Sequence, residues 1–83
     1  MKVLYFAWLR ERIGKGEEDV SLPREVATAG DLITWLAGRG DEYAYAFENP
    51  KVVRVAIDRK HVKHDTPIAS AREVAFFPPM TGG

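Results

Sequence analysis

Short apolar runs, bounded by charged residues, glycine or proline, predict the strands of this chain. Residues 3–7 form a continuous run of β-branched, aromatic and other apolar types, which is typical of a strand buried on both faces. Pro23 ends a second candidate strand, and Asp58 begins a turn between two others. Strands are predicted at residues 3–7, 18–22, 52–57, 61–63 and 73–77.

Helical spacing of apolar residues predicts one main helix after Thr28. Thr28 is the expected N-cap, and Asp31 three positions later resembles a capping box, which more often carries Glu or Gln. Leu32 and the apolar residues after it continue the pattern until Gly38 and Gly40 end the helix. Shorter helical turns are predicted at residues 8–13, which Gly14 ends, and at residues 43–47, which Asn49-Pro50 ends.

This order of elements predicts an α+β domain with a mixed sheet of four to five strands packed on the main helix. The first two strands are expected to pair antiparallel. The first and last strands are the most continuously apolar, so we expect them to be central and parallel. The last strand then leads out of the middle of the sheet, which is its most rigid part.

The segment after that strand carries the strongest functional signal. Pro78 and Pro79 lack N–H donors and have fixed φ, which keeps the backbone extended. Gly82 and Gly83 lack a Cβ and fit a narrow channel that any side chain would block. We therefore predict a folded domain at residues 1–77 and an extended tail at residues 78–83. A frayed end is the alternative, but the aromatic and proline residues before the glycines favour a functional tail.

Composition narrows the chemistry available to this chain. The 83 residues are enough for one small core, and 12 Lys and Arg balance 12 Asp and Glu, so no net charge attracts nucleic acid or an anionic membrane. There is no cysteine, which excludes disulfides, zinc–thiolate sites and a cysteine nucleophile. Sulfur chemistry would require sulfur from elsewhere. No signal peptide or membrane span is indicated, so we expect a cytoplasmic protein.

Candidate sites inside the domain are weak. His61 and His64 supply only half of a zinc site, and surface histidines on a hairpin are the favoured interpretation. Trp8 and Trp35 are interpreted as core residues, although Trp8 could face a partner. The glycines lack phosphate-binding spacing, and the cations Arg59, Lys60 and Lys63 are interpreted as a solvated hairpin. We expect no catalysis, bound cofactor or metal within the chain itself.

Both ends of the sequence match a family. The segment at residues 3–7 followed by Arg10, Glu11 and Gly14, and above all residues 73–83, resemble the small subunits of molybdopterin synthase. These are ubiquitin-like sulfur carriers of the β-grasp fold. The resemblance extends over the whole chain but is specific only at its ends.

The resemblance implies a role for each tail residue. The Gly83 carboxylate would be adenylated, converted to a thiocarboxylate, and used to donate sulfur to cyclic pyranopterin monophosphate, which builds the molybdopterin dithiolene. Gly82 and Thr81 would thread the partner's channel. Phe6 and Phe77 match the family's hydrophobic contact surface and would dock both partners. His61 departs from the family at this interface, since the family usually carries an apolar residue at that position. The other partner-binding residues expected from the tail are Pro78, Pro79 and Met80.

The resemblance also implies the partners. They are the large synthase subunit, a ubiquitin-activating-type adenylyltransferase that uses ATP and Mg²⁺, and a sulfur donor protein. The expected assembly is a heterotetramer of two small and two large subunits, without nucleic acid or membrane. The chain would not be an enzyme alone but the sulfur-donating subunit of a sulfurtransferase.

Three alternatives stay open on sequence alone. Sulfur carriers of the thiamine pathway also end in Gly-Gly but usually lack the Phe-Phe-Pro-Pro stem. A protein modifier would form isopeptide bonds through Gly83. A passive binding module on the same fold would have an inert tail.

Overall fold

The computed structural model describes residues 1–79, which form five strands and three α-helices. A 3₁₀ helix, Pro50–Val52, precedes the third strand. In chain order the elements are β1 Lys2–Tyr5, α1 Ala7–Ile13, β2 Glu17–Asp19, α2 Ala29–Ala37, α3 Asp41–Ala46, β3 Arg54–Ile57, β4 Lys60–Val62 and β5 Glu73–Phe77.

The strands form one mixed sheet in the order β2-β1-β5-β3-β4. β1 pairs antiparallel with β2 and parallel with β5, which places Tyr5 opposite Phe76. β3 pairs antiparallel with both β5 and β4. Parallel pairing of the first and last strands is confirmed, and β5 is the middle strand. This is the mixed sheet that the order of elements predicts and the β-grasp architecture that the family resemblance implies.

The main difference from the predicted elements lies at the end of β1. The strand stops at Tyr5 rather than continuing to residue 7, because Ala7 adopts a left-handed φ of 54° and begins α1. The prediction that both faces of this strand are buried is wrong, since Leu4 is half-buried and Phe6 is exposed. The chain therefore turns sharply just after Phe6.

Smaller differences affect the other elements. β2 is shorter than predicted and ends at Asp19, before the apolar Val20 and Leu22. Residues 52 and 53 belong to the 3₁₀ helix and its end rather than to β3. The helical turns predicted near residues 8–13 and 43–47 are the helices α1 and α3, so the main helix is accompanied by two shorter ones.

The core lies between the inner face of the sheet and the helices. Val3, Tyr5, Val74 and Phe76 point inward from the two central strands and are essentially inaccessible to solvent. Alternation along each strand sends the residues between them to the opposite face. The helical residues that complete the core are Leu9, Ile13, Ala29, Leu32, Ile33, Leu36, Tyr43 and Ala46.

The predicted capping box at the start of α2 is confirmed, with Asp in the place of Glu. The Asp31 N–H donates to the Thr28 hydroxyl over 3.1 Å, and an Asp31 carboxylate oxygen accepts from the Thr28 N–H over 3.1 Å. That oxygen also accepts from the Ala27 N–H, and these bonds lower the pKa of Asp31. The side chains of Thr28 and Asp31 thus accept hydrogen bonds from backbone N–H groups at the helix start that have no partner within the helix.

Replacing the cap tests this description of α2. We expect Thr28→Ala to lower the free energy of unfolding by about 1 kcal/mol, because an N-cap side chain is lost. Thr34→Ala is the matched control, since Thr34 is exposed within the same helix and should change stability by less than about 0.5 kcal/mol. Urea unfolding measures both values. Equal losses in the two variants would contradict the capping role.

Among residues 1–79, no helix combines the length and the apolar character that crossing a membrane requires.

Candidate functional site

The base of the tail lies where the two central strands end together. The Phe6 N–H donates to the Phe76 carbonyl over 3.1 Å, which extends the parallel ladder one residue beyond β1. Phe6 is extended, with φ −125° and ψ 154°, so its side chain follows the alternation of β1 and points to the outer face. Phe77 follows Phe76 on the neighbouring strand and shares that face. The chain then continues into Pro78 and Pro79, which are half-buried.

The outer face of the sheet has an apolar centre next to this point. Phe6 is 47% exposed, one of two large hydrophobic side chains exposed to this degree within residues 1–79. Register pairs Leu4 with Ala75 and Ala75 with Ala56 across three adjacent strands. Ala56 and Ala75 are themselves buried, at 7% and 9% exposure, so a partner at this surface meets mainly the larger side chains around them. We call this surface the docking face, and its members are Leu4, Phe6, Ala56, His61, Ala75 and Phe77.

His61 lies directly against Phe77. Their ring centroids are 5.0 Å apart and the ring planes are tilted by 52°. His61 belongs to β4, which a tight turn through Asp58 and Arg59 joins to β3; both turn residues have positive φ, 48° and 72°. The Asp58 carboxylate accepts from the Glu73 N–H over 3.0 Å and so ties the turn to β5. The imidazole is thus held on the docking face by the hairpin.

A polar cluster on the helical side of the sheet fixes the end of β1. Glu18 of β2 accepts hydrogen bonds from the Tyr5 and Tyr43 hydroxyls, both over 2.7 Å, and forms an ion pair with Arg39 at 2.9 Å. Lys15 adds a longer contact at 3.6 Å. The cluster joins β1, β2, α3 and the segment after α2. Because Tyr5 directly precedes Phe6, this anchoring also holds Phe6 in place.

The ionisation of the cluster follows from its partners. Burial alone would raise the pKa of Glu18, but the hydrogen bonds from Tyr43, Tyr5 and Arg39 outweigh it, and the pKa is lowered from 4.5. Burial and the bond to Glu18 raise the pKa of both Tyr5 and Tyr43. Near neutral pH the cluster therefore holds a carboxylate and two neutral phenols, which is the hydrogen-bonded combination seen in the geometry.

This cluster predicts a stability loss at acid pH. A carboxyl whose folded pKa lies below its unfolded value stabilises the fold above the unfolded pKa, and that contribution is lost as the pH falls through the folded pKa. We expect Glu18→Gln to lower the free energy of unfolding by about 1–2 kcal/mol at pH 7. The difference from the parent should shrink as the pH falls below 4.5. Urea unfolding at a series of pH values measures it, and a constant difference would contradict the ionised role of Glu18.

Other predicted sites take structural roles. His64 is half-buried rather than a surface residue, and its Nε2 donates to the Val53 carbonyl over 2.7 Å. Trp8 packs partly against the core, and the Arg12 guanidinium lies over its ring at 4.5 Å and over Tyr45 at 4.1 Å. Within residues 1–79 no group of three or more His, Asp or Glu side chains is placed to hold a metal ion.

The structure brings together part of the predicted site. Phe6 and Phe77 share one face, as a common docking surface requires, and Pro78 and Pro79 follow directly. Sequence reasoning missed Leu4, Ala56 and Ala75, although strict alternation along β1, β3 and β5 would have placed them there. The predicted residues Met80, Thr81, Gly82 and Gly83 lie outside the described residues.

Comparison with known proteins agrees with the fold. A molybdopterin synthase sulfur carrier subunit from Escherichia coli strain K12 is 37% identical to the chain, over 100% of this chain and 99% of the relative. One of the same name from Haemophilus influenzae is 39% identical over the same shares. The crystal structure of small archaeal modifier protein 1 from H. volcanii superposes with a TM-score of 0.72 at 25% identity, covering 95% of each chain. The ThiS family model matches residues 3–83, and the chain belongs to the ThiS family.

Proposed function

We propose that this protein is the sulfur carrier subunit of a molybdopterin synthase. The observation that carries the proposal is the pairing of β1 with β5, which places Phe6 and Phe77 on one apolar face beside the start of the tail. Two relatives of nearly the same length, at 37% and 39% identity, bear that name. The domain at residues 1–77 is then the part that partners recognise, and the tail at residues 78–83 carries the reacting group.

The proposed reaction takes place on the Gly83 carboxylate. A carboxylate is a poor electrophile, so one of its oxygens attacks the α-phosphate of ATP and pyrophosphate leaves. A sulfide equivalent from a donor protein then attacks the acyl-adenylate carbon and displaces AMP, which gives the thiocarboxylate. The thiocarboxylate sulfur forms a C–S bond to a side-chain carbon of the cyclic pyranopterin monophosphate, while a C–O bond of that carbon breaks and the oxygen leaves as water or on the phosphate. Water then hydrolyses the acyl–S bond, which leaves the sulfur on the pterin and returns the Gly83 carboxylate. Each chain delivers one sulfur, so two thiocarboxylated chains are consumed for each dithiolene.

The partners supply what the chain does not. ATP chemistry requires Mg²⁺ and phosphate-binding groups, and we assign both to a ubiquitin-activating-type adenylyltransferase. The pterin substrate is assigned to the large synthase subunit. Since both partners must hold the same tail, the docking face serves each in turn, and a small apolar patch gives affinity without permanent association. Pro78, Pro79 and Met80 contact the partner at the channel entrance, with Thr81 and Gly82 inside it.

A reconstituted reaction tests the proposal. The chain is incubated with ATP, Mg²⁺, sulfide and a matched activating enzyme, repurified, and added to the large subunit with the pterin substrate. We expect dithiolene product in proportion to the thiocarboxylated chain supplied. Chain treated identically but without ATP is the control. Product formation that is independent of ATP pretreatment would contradict the proposed activation.

Protein modification is a second candidate, favoured by the likeness to the H. volcanii modifier protein. Here a lysine amine, rather than sulfide, would displace AMP from the activated Gly83. Incubation with ATP, activating enzyme and total cell protein distinguishes the two. Conjugates carrying the added 9.3 kDa of this chain would support the modifier, whereas thiocarboxylate without conjugates supports the carrier.

A further inference from the structure

A basic groove lies at the edge of the sheet that β3 and β4 form. It has a volume of about 320 Å³ and lies where the two strands diverge beyond the Val55–Val62 pair. Three of its lining residues are Lys51, Arg54 and Lys63, and none of its lining residues is acidic. The sequence grouped Lys63 with Arg59 and Lys60, but the hairpin separates them and brings Lys63 to Arg54 instead.

These cations are not neutralised by the domain itself. Within residues 1–79 the ion pairs involve Lys2, Arg12, Lys15 and Arg39, and none includes a cation of the groove. Glu48, the acidic residue nearest to Lys51 along the chain, is paired with Arg12 at 3.3 Å. Like charges held in one groove repel one another, so an anionic group that enters the groove relieves this repulsion.

The groove adjoins the start of the tail. Register places Arg54 directly opposite Phe77, the last residue of β5, so the cation lies across from the point where Pro78 begins. The tail itself spans at most about 20 Å at 3.3 Å per residue. Any protein that receives the tail in a channel must therefore bring the entrance of that channel close to Arg54.

We infer that this basic groove is a second docking site, which receives an acidic segment of the large synthase subunit at the entrance of the channel. The inference rests on the proposed function, because it presupposes that this subunit receives the tail. Apolar contact at Phe6 and Phe77 supplies most of the affinity, and the charges set the association rate and the orientation. The chain has no net charge, so the local groove rather than the whole molecule does the steering.

Charge reversal tests the inference. Association of the carrier with the large subunit is followed by stopped flow or surface plasmon resonance at 0.1 M and 1 M NaCl. We expect the double variant Arg54→Glu/Lys63→Glu to associate at least tenfold more slowly than the parent at 0.1 M NaCl. The difference should largely disappear at 1 M NaCl, because the Debye length falls from about 10 Å to about 3 Å.

Arg24→Glu/Arg72→Glu is the matched control, since both residues are exposed, neither belongs to an ion pair found within residues 1–79, and both lie toward the end of the sheet opposite the tail. It changes the net charge by the same amount and should leave the association rate within about twofold. Urea unfolding confirms that every variant is folded. A parent that binds with a rate independent of salt, or a groove variant that behaves like the control, overturns this inference alone. A parent that does not bind the large subunit at all overturns the proposed function as well.

Discussion

Deletion of Gly83 is expected to abolish sulfur transfer while leaving the domain folded and able to dock. The reacting carboxylate is moved back by one residue, about 3.3–3.6 Å, which takes it out of line with the ATP phosphate in the activating enzyme. We expect product formation to fall by at least 10³-fold. The free energy of unfolding should change by less than about 0.5 kcal/mol, because glycine has no side chain to contribute to the core. Transfer is measured in the reconstituted reaction.

Competition provides the control for this deletion. The shortened chain keeps the docking face, so it should inhibit transfer from thiocarboxylated parent by occupying the large subunit. A shortened chain that neither binds nor inhibits would indicate that Gly83 contributes to docking rather than to chemistry. Retention of full transfer would contradict the role of the Gly83 carboxylate and favour a passive binding module.

Phe77→Ala is expected to weaken binding to both partners by about 30-fold or more. The ring is half-buried beside Phe6 and His61 at the base of the tail, where an aromatic side chain that is fully covered in a complex is worth about 2 kcal/mol or more. Binding is measured by calorimetry against the large subunit and, separately, the activating enzyme. A loss with only one of them would show that the two partners use different surfaces.

Tyr45→Ala is the matched control for this substitution. Tyr45 is also an exposed aromatic residue, at 53% exposure, but it lies on α3 on the helical side of the sheet. Its removal should leave both affinities within about twofold. If Phe77→Ala bound like Tyr45→Ala, the docking face would be wrongly placed.

Local chemistry explains what the sequence predicted well. The bounds of β5 were predicted at both ends, because its apolar run stops at a proline that cannot donate to the sheet. The start of α2 was predicted from Thr28 and Asp31, whose hydrogen bonds span only three residues. The parallel pairing of β1 with β5 followed from their continuous apolar character. In each case the structure depends on residues close together in the sequence, or on an apolar character that runs along a whole strand.

Contacts between distant residues explain what could not be predicted. The left-handed φ of Ala7 follows from the need to turn α1 back over the core, and alanine gives no sign of it. Nothing in the sequence around Glu18 distinguishes it from other charged residues, yet it accepts a hydrogen bond from the hydroxyl of Tyr43, which is 25 residues away. The groove cations come together only through the β3–β4 register. Likewise, only the sheet order brings Ala56 beside Ala75 and so defines the centre of the docking face.

The most direct test of the central claim uses the lack of cysteine in this chain. The protein is expressed with its native C-terminus, loaded in the presence of ATP, sulfide and the activating enzyme, and treated with a thiol-specific alkylating reagent. Intact mass and fragmentation then locate any adduct, which also separates sulfur incorporation from oxidation of Met1 or Met80. The account predicts a single adduct on Gly83 that depends on ATP. An alkylatable group elsewhere, or none after complete loading conditions, would contradict it.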